Sequence, residues 1–174
     1  LNVWEASGTN FLACLKKLPV IFVCEDNDLA IHTKTADRHG YKSLTDIVSK
    51  FNCHILKSDT TDVEKIAKLT RKAVELCQKK QKPVFMHLKY YRYYEHVGIN
   101  FDFNAGYRSE TEYREWLKKD PVDLQKNRLL KEGYEREVQE IEDEIADQIE
   151  QGFAAAKAAP FPKPEELFTD IYAP

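Results

Sequence analysis

Nowhere does the sequence stay apolar long enough to cross a bilayer. Its longest apolar run, Leu18 to Cys24, falls well short of the roughly 18 to 20 residues that a membrane-spanning helix needs. A surplus of either charge is missing too. With 26 lysines and arginines against 29 aspartates and glutamates, the net charge of -3 excludes a strongly cationic nucleic-acid binder. Neither nucleic acid nor membrane is therefore an expected partner. The four cysteines, Cys14, Cys24, Cys53 and Cys77, are widely spaced and form no CxxC, so free thiols in a reducing compartment are expected. No G-x-S-x-G elbow, P-loop or Rossmann glycine fingerprint occurs. His32, His39, His54 and His87 with Cys24 and Cys53 make no pair at zinc-finger spacing. Position 1 is leucine, and no basic stretch, apolar core and cleavage site open the sequence. No signal peptide is read, and the chain is expected to be a piece of a longer one.

What is present is an alternation of strands and helices followed by helices alone. At 174 residues, 43% of them hydrophobic, the chain can bury a core without disulfides or a metal. Residues 11–17 read as the end of a helix stopped by Pro19. The run PVIFVC then predicts a strand covered on both faces, as in a parallel sheet, with the polar EDND marking its carboxyl end. Residues 33–42 read as a loop, 43–51 as a helix carrying Leu44, Ile47 and Val48, and 53–57 as a second strand. A helix over 62–79 opens with Thr61 as N-cap and Glu64 three residues on. Its apolar face is read as Val63, Ile66, Ala67, Thr70, Ala73, Val74 and Cys77. Pro83 and the stretch VFMHLKYY supply the next strand. Strand, helix, strand is the βαβ unit, so the strands from Val20 and from Val84 should be parallel. The loops at their carboxyl ends, Glu25 to Leu29 and Arg92 to Gly106, are where open α/β sheets bind ligands. Beyond Gly106 the composition turns to charged helices. The longest begins at Tyr134, with Val138, Ile141, Ile145, Ile149 and Phe153 as an apolar stripe that needs a partner surface. Its acidic face is read as solvated rather than as a calcium site. The proline-rich tail reads as an extended strap pinned by Phe161, Leu167, Phe168 and Tyr172.

Two clusters carry chemistry. Glu25, Asp26, Asn27 and Asp28 offer the oxygens that a hard cation such as Mg²⁺ takes; exposed turn residues are the plain alternative. His96 lies in the run KYYRYYEH with Arg92 near the ligand edge, where imidazole and guanidinium could hold a phosphate; a packing or surface histidine is the alternative. Stacking of these rings on single-stranded RNA is the weaker reading, because most of them fit alternating positions on a core strand.

Three separated stretches resemble one family. ACLKKLPVIFVCEDNDLAIHT, KPVFMHLKYYRYYEHVGINFDFNAGYRSETEYREWLKKDP and PFPKPEELFTDIY are similar, in order, to segments of the E1 alpha subunits of thiamine diphosphate-dependent 2-oxo acid dehydrogenases of the pyruvate, branched-chain and acetoin types. The resemblance implies an α/β fold, the C-terminal part of a thiamine diphosphate-binding fold. It would be a parallel sheet with flanking helices over residues 1–108 and a helical C-terminal extension with an extended tail over 109–174. It also implies the cofactors thiamine diphosphate and Mg²⁺. The family's metal-binding Asn falls on Asn27, and its backbone carbonyl ligand falls on Leu29. The histidine beside the cofactor diphosphate and the substrate falls on His96, as the catalytic residue. The Tyr-Arg pairs that open and close the active-site loop fall on Tyr91 and Arg92 and on Tyr107 and Arg108.

Departures are visible. Asp26 stands where the family has its first Asn, Tyr94 where some members have a loop His, and Val97 where mitochondrial members have a regulatory serine. That phosphorylation is therefore expected to be absent. The family's Gly-Asp-Gly motif, whose Asp also binds Mg²⁺, does not occur before Asn27, and the start, LNVWEASGTNFL, aligns poorly. The resemblance thus implies a fragment of an alpha subunit, inactive by itself. It would work on a 2-oxo acid in a heterotetramer with an E1 beta subunit and pass the acyl group to a lipoyl-bearing E2. A noncatalytic truncated homologue serving subunit interaction is the rival reading. A cytoplasmic location is expected, or an organelle matrix if a lost N-terminus carried a transit peptide.

Overall fold

The computed structural model describes residues 12–169, and two compact units divide between Gln125 and Lys126. In the first unit, β1 (Ile21–Asp26), β5 (Val84–Lys89) and β4 (His54–Ser58) form a three-stranded sheet in the order β1-β5-β4. Both pairings are parallel, with Ile21 opposite Val84 and Asp26 opposite Lys89. The predicted parallel arrangement therefore holds, and the sequence's two apolar runs lie side by side.

β5 is the strand covered on both faces. Val84, Phe85 and Met86 are 0%, 4% and 1% exposed, and successive side chains point to opposite faces. Val84 and Met86 join Leu56, Ala73 and Cys77 against helix α4 (Val63–Lys80). Phe85 joins Cys24 and Val48 against the short helix α3 (Leu44–Val48). β1, read as doubly covered, is instead an edge strand on which Val23 is 50% exposed. A continuous apolar run shows that a strand is buried against something; it does not show its place in the sheet.

Three further readings are corrected. α4 is capped by Asp62, whose carboxylate accepts from the backbone N–H groups of Glu64 and Lys65. Thr61, the residue read as the cap, donates its hydroxyl to the Lys119 carbonyl. The stripe that α4 packs on the sheet is Leu69, Ala73, Leu76 and Cys77, while Val63 and Val74 stay exposed. Residues 33–42 are not all loop: β2 (Leu29–Ala30) and β3 (Thr33–Lys34) pair as a small antiparallel hairpin, followed by the one-turn helix α2 (Thr35–Arg38). A 33–38 segment this polar carries no periodicity to reveal it.

α1, whose described part covers residues 12–16, ends before Pro19 as expected, with Phe11 outside the described residues. α5 (Glu110–Leu117) is capped by Ser109, which accepts from the Glu112 N–H at 3.1 Å. α6 (Pro121–Lys131) begins at proline. Gly133 follows it at φ +86°, a conformation open to glycine at little cost. In the second unit, α7 (Glu135–Ala158) runs for 24 residues, about 36 Å at 1.5 Å per residue. Ile141, Ile145, Ile149 and Phe153 lie along it half exposed, so the stripe has the open face that its spacing implied. The tail differs from the expected strap. Residues Pro164–Phe168 form a 3-10 helix, and Phe161, Leu167 and Phe168 are exposed rather than pinned; Tyr172 lies outside the described residues.

Candidate functional site

The carboxyl ends of β1 and β5 lie side by side, and the loops that follow them enclose a cavity of about 380 Å³. Asn27, Leu29, Arg92 and His96 all line it. Four of the residues singled out in the sequence thus line one cavity although more than sixty positions separate the two pairs.

The turn after β1 is fixed by its own side chains. Asp26 Oδ1 accepts from the Asp28 N–H at 2.9 Å, and Asn27 Oδ1 accepts from the Leu29 N–H at 3.0 Å. Such Asx turns tolerate the left-handed conformation that Asp28 adopts at φ 61°. Two bonds anchor the turn to β5 and to the residue that follows it. Asp26 Oδ2 lies 2.8 Å from His87 Nε2, and Asn27 Nδ2 donates to the Tyr90 hydroxyl at 3.1 Å. Burial pushes the Asp26 carboxyl up, but the Asp28 N–H and His87 outweigh it and hold it below the ordinary carboxylate range. Its oxygens are therefore committed to the protein, which removes Asp26 from the four oxygen-bearing residues that the sequence offered to a cation. Among the described residues no group of three or more His, Cys, Asp or Glu is placed to hold a metal ion. Asn27 Oδ1 and the Leu29 carbonyl remain as neutral oxygens. A hard dication takes more oxygens than these two, so they fit a contribution to a metal site rather than a whole one.

The second loop is built around a buried guanidinium. Arg108 is 6% exposed. Its Nε donates to Asp102 Oδ1 at 2.6 Å, and its terminal nitrogens donate to the carbonyls of Arg92 and Tyr93. The Tyr107 hydroxyl donates to the other Asp102 oxygen and accepts from Arg92 Nη2 at 2.6 Å. Arg92 also donates to the carbonyls of Ile31 and Tyr94, at 3.0 and 3.1 Å. It thus links the hairpin loop after β2 to the loop carrying His96. Arg92 contributes position as well as charge, because most of its fork is occupied by protein acceptors. His96 itself is exposed on the rim.

The rings of KYYRYYEH do not alternate along a strand, since β5 ends at Lys89. Tyr91, Tyr93 and, through Phe101, Tyr94 join a cluster against α5, while Tyr90 meets Asn27. Tyr91 stacks on Trp116 with centroids 5.6 Å apart, and Tyr113 meets Tyr93, Phe101 and Phe103. Tyr91, read as loop-organising, does this by packing, buried beneath the Arg108 guanidinium at 5.7 Å from its ring. Asp102 and Tyr41, which the sequence reading passed over, and His39, which it weighed only as a zinc ligand, also lie here. Asp102 is the hub of the loop network, and the other two line the cavity. A lone Asp in an aromatic run and a His-Gly-Tyr step carry no spacing signal. All four cysteines are free thiols. Burial and the neighbouring Cys14 thiol push Cys53 up to about 11, which disfavours its thiolate.

Comparison with known proteins supplies the ancestry. The profile of the Dehydrogenase E1 component family matches residues 5–165. The pyruvate dehydrogenase E1 component subunit alpha of Zymomonas mobilis is 32% identical over 172 residues, covering 98% of this chain and 47% of that protein. The alpha subunit of acetoin:2,6-dichlorophenolindophenol oxidoreductase from Bacillus subtilis is 29% identical over 163 residues, 92% of this chain and 48% of that one. The somatic mitochondrial pyruvate dehydrogenase E1 alpha subunit of Homo sapiens is 32% identical over 167 residues, 92% and 41% respectively. The chain spans about half the length of the curated relatives it matches. With its parallel sheet and flanking helices, this chain belongs to the dehydrogenase E1 component family and is E1-alpha-like.

Proposed function

We propose that the chain is part of the alpha subunit of a 2-oxo acid dehydrogenase E1 component and supplies one side of its thiamine diphosphate and Mg²⁺ site. The observation that carries this reading is the meeting of Asn27, Leu29, Arg92 and His96 around one cavity at the carboxyl edge of β1 and β5. Ligand sites of open α/β sheets occupy that position. Asn27 Oδ1 and the Leu29 carbonyl would take the metal's side, with the Asx turn and the Tyr90 hydroxyl holding the amide in place. Bound thiamine diphosphate supplies the electron sink for decarboxylation, and the protein positions and tunes it. His96, on the rim, would present an imidazole N–H to charge developing on the substrate. Arg92 holds the loop that carries it.

Two neutral oxygens do not retain a dication, so the remaining metal ligands come from elsewhere in the assembly. On this reading an E1 beta subunit completes the site and a lipoyl-bearing E2 takes the acyl group; the chain alone has no turnover. The test is kinetic, on the full-length parent assembled with its beta subunit. His96→Ala should lower the turnover rate by roughly 10² or more, as the loss of other preorganised donors does, with little change in cofactor affinity. Unchanged turnover would return His96 to a surface histidine.

A further inference from the structure

His96 opens a short tip, residues 96–99, whose own side chains do not hold it in place. Val97 and Ile99 are each 84% exposed, and no hydrogen bond to another described residue fixes the imidazole. A donor that serves chemistry has to be preorganised, so the tip needs a brace from outside itself.

The brace lies at its base, in two layers. In the outer layer Tyr94 and Phe101 meet with ring centroids 5.4 Å apart, and Phe101 sits edge-on to Tyr113 of α5 at 5.3 Å. In the inner layer the Glu95 N–H donates to the Asn100 carbonyl at 3.0 Å. The half-buried Glu95 carboxylate then closes the turn: its Oε1 accepts from Asn100 Nδ2 at 2.8 Å and from the Asn100 N–H at 3.3 Å. Bonds to an ionised acceptor are the stronger kind, and both of these cross the tip. Gly98 makes room for them. Its φ is +132°, and a Cβ there would stand 2.2 Å from Glu95 Oε1. Any side chain at 98 would therefore push the carboxylate away from Asn100 as well as strain the backbone.

We propose that Glu95 is a positioning residue for His96: by clasping Asn100 across the tip it shapes, before any ligand arrives, the loop that presents the imidazole at the cavity rim. Glu95 does not line the cavity, so it acts through the loop and not on reacting atoms. The role rests on the reading of His96 as a donor to the substrate, and deepens it.

Two measurements test this. The first needs neither cofactor nor turnover: amide hydrogen exchange on the full 174-residue chain. The Asn100 amide should be protected in the wild type, lose protection in Glu95→Ala and regain it in Glu95→Gln, because one oxygen receives both bonds and an amide oxygen can take its place. Gly98→Ala should act like Glu95→Ala although the carboxylate is still in the chain. Unchanged protection along β5 shows that the fold is intact; should Glu95→Ala fail to fold, Gly98→Ala decides in its place.

The second measurement is kinetic, on the full-length parent assembled with its beta subunit. Glu95→Ala should lower kcat by roughly tenfold to 10²-fold, as a small misplacement of a reacting group does, and leave KM within about twofold. Glu95→Gln should recover most of the rate. In a His96→Ala background, Glu95→Ala should change kcat by less than about twofold, because the group it positions is gone. A protected Asn100 amide in Glu95→Ala, full turnover in that variant, or an undiminished loss in the His96→Ala background overturns the proposal. The failures separate: full turnover in Glu95→Ala beside a slow His96→Ala enzyme removes the positioning role alone. Full turnover in His96→Ala removes the reading beneath it, and the exchange result then still decides whether Glu95 closes the tip.

Discussion

His87 Nε2 lies 2.8 Å from Asp26 Oδ2, joining the centre of the sheet to the last residue of β1, one position before Asn27. Both side chains are largely buried, 12% and 25% exposed. The same carboxylate accepts from the Asp28 N–H, so one side chain sets both the anchor and the bend of the turn. Asp26→Ala would orphan the imidazole and the amide together and should cost about 1–3 kcal/mol of unfolding free energy. Asp26→Asn keeps one acceptor oxygen for the Asp28 N–H and sets an amide N–H against His87 Nε2, which pairs with it only in the tautomer protonated at Nδ1, so it should restore part of the loss. Urea denaturation of the three proteins measures this, and faster amide exchange at Asp28 and Leu29 in the alanine variant alone would localise the loss to the turn.

Arg108 is the buried cation of the second loop, and Asp102 is its counter-charge. Replacing it by Met leaves the Asp102 carboxylate, 10% exposed, without its nearest positive partner and the Arg92 and Tyr93 carbonyls without donors. Breaking a buried pair from one side typically costs about 3–5 kcal/mol. Arg108→Lys should recover only a minor part of that, because an ammonium cannot reproduce the fork. Chemical denaturation gives the magnitudes, and limited proteolysis should cut variants first within residues 94–106.

Asp102 also sets an acid limit. Burial pushes its carboxyl up, but hydrogen bonds from Tyr107 and Arg108 outweigh that and hold it below the ordinary carboxylate range. A carboxyl lowered on folding contributes stability that is complete above its unfolded value, about 3.9, and is lost as pH falls through the lower folded value. The stability gap between the wild type and Asp102→Asn should be constant above about pH 5 and shrink below about pH 4. Denaturation midpoints across that range check it; a gap that widened on acidification would give the pair the wrong sign.

The exposed stripe of α7 makes a simpler forecast. Ile145 is 51% exposed, so Ile145→Gln should change the unfolding free energy of the chain by less than about 0.5 kcal/mol, as surface substitutions do. A larger loss would mean that the stripe is covered in the free chain.

The sheet was legible because β1 and β5 are written as apolar runs and α4 as a capped amphipathic helix between apolar stretches. Each signal lies within one element, and so do the open stripe of α7 and the glycine stop after α6. Relations between elements were not legible from spacing. Asp26 and His87 are 61 positions apart, and nothing local marks them as partners. Thr61 is a better-known cap than most residues, yet Asp62 takes that role while the threonine hydroxyl serves the distant Lys119 carbonyl. The aromatic run misled for a related reason: alternation of rings suits a strand, and only packing against Tyr113 and Trp116 shows a loop cluster. Asn27, Leu29, Arg92 and His96 came from family resemblance, and the cavity joins them. His39 and Tyr41 stand in no spacing pattern, and only the fold brings them to the cavity.

The central claim is that Asn27 lends its side-chain oxygen to the metal of a thiamine diphosphate site. Its most direct test is calorimetric titration of thiamine diphosphate, with Mg²⁺ and with chelator, into the full-length parent assembled with its beta subunit, for the wild type and for Asn27→Ala. The account predicts Mg²⁺-dependent binding that the substitution weakens by about tenfold or more, by analogy with disturbed metal sites, and that raised Mg²⁺ partly restores. Equal affinity in the two proteins, or binding indifferent to chelator, would contradict it.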